Sequence, residues 1–139
     1  MVAYNKINAF VNDLASKVHN LGSDTLKICL SNTAISAGMT VFSNITEISA
    51  GNGYTAGGKA PTINSSSQSG GTYKLVLANT VWTASGGSIG PFRYVGLYNS
   101  TDASKRLIGW FDYGSSITLN NTETFTVNFD QTNGTLTIA

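Results

Sequence analysis

The sequence predicts a mainly β domain, an antiparallel β-sandwich or jelly roll preceded by one amphipathic helix. Three observations lead there. Short runs of β-branched and aromatic residues alternate with polar ones along most of the chain. Clusters of Gly, Asn and Ser separate those runs, and helical spacing of apolar residues occurs in one place near the start.

The helix is expected over about residues 5–20. Ile7, Phe10, Val11, Leu14, Val18 and Leu21 recur at spacings of three and four, with Asn8, Asn12, Asp13, Ser16 and Lys17 between them. Asn5 suits an N-cap, and Gly22 suits the left-handed residue that closes a helix. Strands are expected from about residue 24 to 138. Leu26, Ile28 and Leu30 alternate with Lys27 and Cys29, and Tyr73, Leu75 and Leu77 alternate with Lys74 and Val76. Met39 to Phe42 and Ile45 to Ile48 are weaker candidates, and Val81-Trp82 begins a short strand closed by Gly86-Gly87. Phe92 to Tyr98 follows the Gly90-Pro91 turn signal, then Leu107 to Tyr113, Glu123 to Phe129 and Thr135 to Ile138. Asn133-Gly134 between the last two runs is a hairpin signal.

Residues 49–71 differ from the rest. Six glycines and a Ser65-Ser66-Ser67 run interrupt any period, so a flexible loop is expected. Segments this long without secondary structure are generally functional or disordered in a compact domain. Tyr54, Pro61 and Ile63 supply apolar anchors of the kind that bury at interfaces. These three are the candidate interface residues, on an arm that orders when it binds. The alternative is a solvated loop in which Thr62 to Ser67 adds an edge strand.

Composition narrows the function classes. The 139 residues fit a single domain, and a hydrophobic share of 41% is enough for a packed core, so disorder is not expected. Charged residues are only 11% and the net charge is +1, with Lys6, Lys17, Lys27, Lys59, Lys74, Arg93, Lys105 and Arg106 scattered. No cationic stripe is present to neutralise a run of phosphates, so nucleic acid is not an expected partner. No apolar run reaches the length of a membrane span, and the first residues lack the apolar core of a signal peptide. The single Cys29 rules out an internal disulfide.

No constellation for catalysis stands out. His19 is the only histidine, at the end of the expected helix, where a surface residue favoured by the helix dipole is the ordinary outcome. Cys29 reads as a small core residue. The acids Asp13, Asp24, Glu47, Asp102, Asp112, Glu123 and Asp130 are isolated, and any seven would contain a pair such as Asp112 and Glu123. Gly51, Gly53, Gly57 and Gly58 lack the Gly-Lys-Ser/Thr ending of a phosphate loop. Phe92, Tyr94 and Tyr98, with Trp110 or Tyr113 nearby, suit either a stacking platform or, more economically, the core of a small domain. No catalytic, cofactor-binding or metal-binding residue is assigned.

Several phrases occur together in a known setting. Tyr4-Asn5-Lys6, Phe10-Val11 and Val18-His19-Asn20-Leu21 are followed by Asp24-Thr25-Leu26-Lys27, Ser31-Asn32-Thr33-Ala34 and Glu47-Ile48-Ser49-Ala50-Gly51-Asn52-Gly53-Tyr54. Gly71-Thr72-Tyr73-Lys74-Leu75-Val76-Leu77, Gly90-Pro91-Phe92-Arg93-Tyr94 and Gly109-Trp110-Phe111-Asp112-Tyr113-Gly114-Ser115-Ser116 come next. Over nearly its whole length the chain resembles small virion structural proteins of tailed bacteriophages. That resemblance implies a non-enzymatic particle component located in the virion. The candidates are a capsid decoration (cement) protein that binds the major capsid protein, a head-fibre component or a tail component. Other virion subunits are the implied partners, with self-assembly as a dimer or trimer. A glycan-binding module on the host-facing side is the alternative.

Overall fold

A computed structural model describes residues 2–139. In chain order the elements are β1 (Asn5–Lys6), α1 (Phe10–Ala15), β2 (Leu26–Ser31), a 3-10 turn at Phe42–Asn44, β3 (Ile63–Ser69), β4 (Thr72–Leu77) and β5 (Thr80–Thr83). They continue with β6 (Ile89–Asn99), β7 (Leu107–Leu119), β8 (Thr124–Val127) and β9 (Leu136–Ile138). The protein is mainly antiparallel β with one short helix near its start. A four-stranded sheet runs β1-β7-β6-β2, a three-stranded sheet runs β3-β4-β9, and β5 pairs with β8. All three contribute to one sandwich-like core: Ile28, Leu30 and Leu97 from the first, Leu75 and Leu136 from the second, Trp82 and Val127 from the third.

The expected helix is much shorter than 5–20. At its start Asn5 is a strand residue paired with Trp110, and Lys6 pairs with Gly109, so Asn5 caps nothing. At its end Lys17 takes φ +65, while the Val18 N–H donates to Asp13 O at 2.9 Å and the Lys17 N–H donates to Leu14 O at 3.3 Å. That pair of bonds is a Schellman closure, five residues before Gly22. The apolar stripe divides accordingly. Phe10 is buried in the helix, and Ile7 and Leu21 are buried outside it; Leu14 and Val18 are half-covered, and Val11 is 53% exposed.

The hairpin expected at Asn133-Gly134 is absent. β8 pairs with β5, whereas β9 pairs with β4, so the chain crosses between sheets there. Asp130 organises the crossing: its Oδ1 accepts the Thr132 and Asn133 N–H groups at 2.9 and 2.7 Å. Met39–Phe42 and Ile45–Ile48 contribute single bridges, Val41 to Arg106 and Glu47 to Ser31, on either side of the 3-10 turn. The remaining strand positions follow the alternation, though β7 extends six residues beyond the expected Tyr113, to Leu119.

Asp13 is a buried acid on α1, 1% exposed, whose Oδ1 accepts from the Arg106 guanidinium at 2.8 Å. Arg106 immediately precedes β7, so this pair ties the helix to the central sheet. Removing one member of a buried pair strands the other charge, at a cost of about 3–5 kcal/mol. Arg106→Met should therefore lower the chemical unfolding midpoint sharply. Combining it with Asp13→Leu should cost less than the two single changes added together, since the stranded charge is gone.

Candidate functional site

Tyr54, Pro61 and Ile63 do not form an exposed contact arm. Tyr54 is 2% exposed, with its ring centroid 6.0 Å from that of Trp82. Its hydroxyl accepts the Leu30 N–H at 3.0 Å and donates to Glu47 Oε2 at 2.7 Å; the same carboxylate oxygen accepts the Gly57 N–H at 2.7 Å. Pro61 is buried, and Ile63 is half-buried at the start of β3, opposite Leu77. The segment before β3 is instead a strap along the outer edge of β2. Lys59 N–H donates to Ile28 O at 3.0 Å and Ile28 N–H donates to Lys59 O at 2.8 Å. Gly58 makes this approach feasible: at φ +80 it lies so close to Ile28 O that a β-carbon would collide with it.

The strap follows from its residue chemistry. A tyrosine with a polar tip can be buried when partners meet the hydroxyl, and here Glu47 and the Leu30 amide do so. Tyr54→Phe leaves the Leu30 N–H unpaired in the core, which costs about 1–3 kcal/mol. Its thermal midpoint should fall, whereas an exposed binding arm would leave stability unchanged. Deleting residues 52–59 should abolish cooperative unfolding instead of merely weakening an interaction.

Among the described residues no three of His, Cys, Asp and Glu converge as metal ligands. Cys29 is fully buried, and burial, with the Glu47 charge, pushes its thiol up to about 12, far from a reactive thiolate. Of the aromatic set, Phe92 and Tyr98 are in the core, Tyr94 and Trp110 are half-buried, and Tyr113 is 48% exposed. Tyr113 borders a cleft of about 170 Å³ with Val2, Phe125 and Val127.

His19 is a buried residue, 6% exposed, and not the surface residue its position suggested. Its ring lies 5.5 Å from that of Phe10, and its Nδ1 is 3.1 Å from Asn99 Nδ2. Asn99 Oδ1 accepts the Thr101 and Asp102 N–H groups, so its amide NH2 faces His19 and Asp24. His19 Nδ1 is therefore the acceptor, the imidazole is neutral, and the hydrogen sits on Nε2, which has no partner. Protonation would set one donor against another inside the protein. Desolvation by burial lowers the His19 pKa below 6.5, aided by the Arg106 charge and opposed by Asp13, Asp102 and Asp24.

A cleft of about 600 Å³ opens beside this network, with His19 itself among its lining residues. Leu14, Lys17 and Leu21 line one wall, and Ser66, Tyr73 and Ile138 line the other. A second cleft of about 220 Å³ shares Leu14 and Ile138 and is lined by Lys6, Val11 and Leu136. Both are lined by residues of α1 on one side and of the three-stranded sheet on the other. The lining combines apolar side chains with the polar Asn20, Ser66 and Thr137, with Lys6 and Lys17 among its residues and Val11 at its rim.

The His19 environment carries a pH dependence with a defined sign. The unfolded chain takes up a proton near the ordinary value of 6.5, whereas the folded chain resists it. Stability is therefore whole above about pH 6.5 and declines as the pH falls from there toward the lowered native value. Asp112 and Asp130 are held below 3.8 by hydrogen bonds, chiefly from Arg93 and Asn133 respectively, so their losses come at lower pH. Urea unfolding between about pH 7 and 5 should show this slope, and His19→Gln should remove it.

Searches of protein-family models, curated proteins and solved structures found no match to this chain.

Proposed function

We propose that this protein is a non-enzymatic structural subunit of a tailed-phage particle, a capsid decoration (cement) protein that binds major capsid subunits and stabilises the shell. The resemblance of its motifs along nearly the whole chain supports this reading. One structural observation supports it independently of those motifs: several of the polar groups that could do chemistry take part in holding the fold. Asp13 pairs with Arg106, Glu47 accepts from Tyr54 and Gly57, and Asn99 bridges His19 and Asp24. What is offered outward is a partly apolar groove flanking α1, with Lys6 and Lys17 along it. Apolar surface with a few charges at its margin is the composition of a protein contact. In this reading the protein works as a homo-oligomer on the outside of the capsid.

Purified virions give the test. Quantitative mass spectrometry should find the chain in copy numbers comparable to the major capsid protein. A handful per particle would place it in the neck or tail instead. Val11→Asp changes an exposed residue in the first turn of α1, where an acid suits the helix dipole. The variant should melt like the wild type yet lose occupancy on purified capsids. Unchanged occupancy would remove the groove from the contact.

A further inference from the structure

We infer that two copies of this chain associate through the outer edge of β3, in an antiparallel pair that joins their three-stranded sheets into one of six strands. This gives the homo-oligomer proposed above a specific interface, and it rests on that part of the reading alone.

The inference starts from the edges. β2 is covered by the strap: Lys59 pairs with Ile28, and Ile48 N–H donates to Leu30 O at 3.0 Å. β1 is two residues long and β9 three. The outer side of β7 is broken around Tyr113–Ser116, where the register with β6 jumps and Gly114 takes φ +97. β3 is seven residues long, pairs with β4 on one side, and receives no backbone hydrogen bond on the other from any described residue. Edges of this length are ordinarily blunted by charge, proline or a bulge. The bulge between Ile63 and Ser65 and the preceding Pro61 protect only the beginning of β3. Ser65-Ser66-Ser67-Gln68-Ser69 is in regular register and has no charge.

The register of the pair follows from the turn. Gly70 and Gly71 both have positive φ, +58 and +85, and Ser69 is paired with Thr72, which makes a two-residue hairpin of the I′ kind. In such a hairpin the closing pair exchanges backbone bonds, and alternate residues do likewise. Ser69, Ser67 and Ser65 therefore bond inward to β4. Ser66 and Gln68 present their N–H and C=O groups outward. An antiparallel mate centred on Ser67 sets Ser66 opposite the mate's Gln68 and the reverse, which makes about four backbone bonds. Ser67 then faces its own copy, and Ser65 faces Ser69. Every opposed pair is neutral and small or polar, so the edge is complementary to itself. A second copy brings no charge and no bulky side chain against this row, and it is the occupant the register fits. The contact area is small, and association should depend on concentration.

Analytical ultracentrifugation of the full chain over a wide concentration range tests this. The wild type should pass from monomer to dimer. Ser67→Glu sets a carboxylate beside Lys74 within the hairpin but against its own copy across the axis, and should abolish the dimer without lowering the melting temperature. Ser67→Cys gives an independent readout. Across the axis the two Cα atoms would be about 4.5 Å apart, within disulfide reach, and Cys29 is buried out of the way. Mild oxidation should cross-link Ser67→Cys into dimers much faster than Ser115→Cys, an exposed control on β7. A wild type that stays monomeric throughout would overturn the inference. So would a dimer that Ser67→Glu leaves intact and Ser67→Cys fails to cross-link. Capsid occupancy is a separate measurement: a monomer that binds capsids sinks the pairing alone, and a β3-paired dimer that ignores capsids sinks only the virion reading.

Discussion

The central strands β6 and β7 bury side chains on both faces, and the rest of the molecule is arranged to cover them. Val95, Leu97 and Tyr98 on one strand and Leu107, Ile108 and Phe111 on the other are all buried, although consecutive residues point to opposite faces. Two glycines mark where cover comes closest. A β-carbon at Gly96 would lie 2.6 Å from Ile45 Cδ1 and 3.1 Å from Cys29 Sγ, and one at Gly109 would strike the Tyr4 ring. The N-terminal segment and the 35–45 region therefore act as lids on this sheet, and only a residue without a side chain lets them approach so far.

The same constraint accounts for the buried polar groups. A lid made of irregular backbone brings amides and polar side chains into the interior, and each needs a partner there. Asn99 at the end of β6 meets several at once, through His19, Asp24, Thr101 and Asp102. Glu47 does the same for the strap through Tyr54 and Gly57. Asp13, a buried acid, is met by the Arg106 guanidinium. In the proposed reading as a structural subunit, the groove beside α1 and the outer edge of β3 are the surfaces for partners.

Much of the fold was legible in the residues. Alternation located the strands because period two is a direct consequence of the pleat. Thr124 to Phe129, the clearest alternation, buries Val127 and Phe129 as the pattern requires. The composition also reported truly on the mainly β class. The helix was overestimated for an identifiable reason. Ile7, Phe10 and Leu21 are buried by three different local structures, and their spacing imitates one continuous helix.

What the tertiary structure decided was destination. The apolar anchors Tyr54 and Pro61 were recognisable as residues that would be buried, but a glycine-rich segment contains no information on whether its own core or a partner buries them. The answer lies in Gly58 beside Ile28 and in a glutamate that meets the Tyr54 hydroxyl, both set by contacts distant in sequence. His19 was buried by Phe10 and oriented by Asn99, eighty residues away. Asn133-Gly134 has the chemistry of a hairpin turn, yet β8 and β9 find their partners in different sheets. Local residue preferences fix what a segment can be, and long-range pairing fixes where it goes, because burial and hydrogen bonding are satisfied by the whole chain at once.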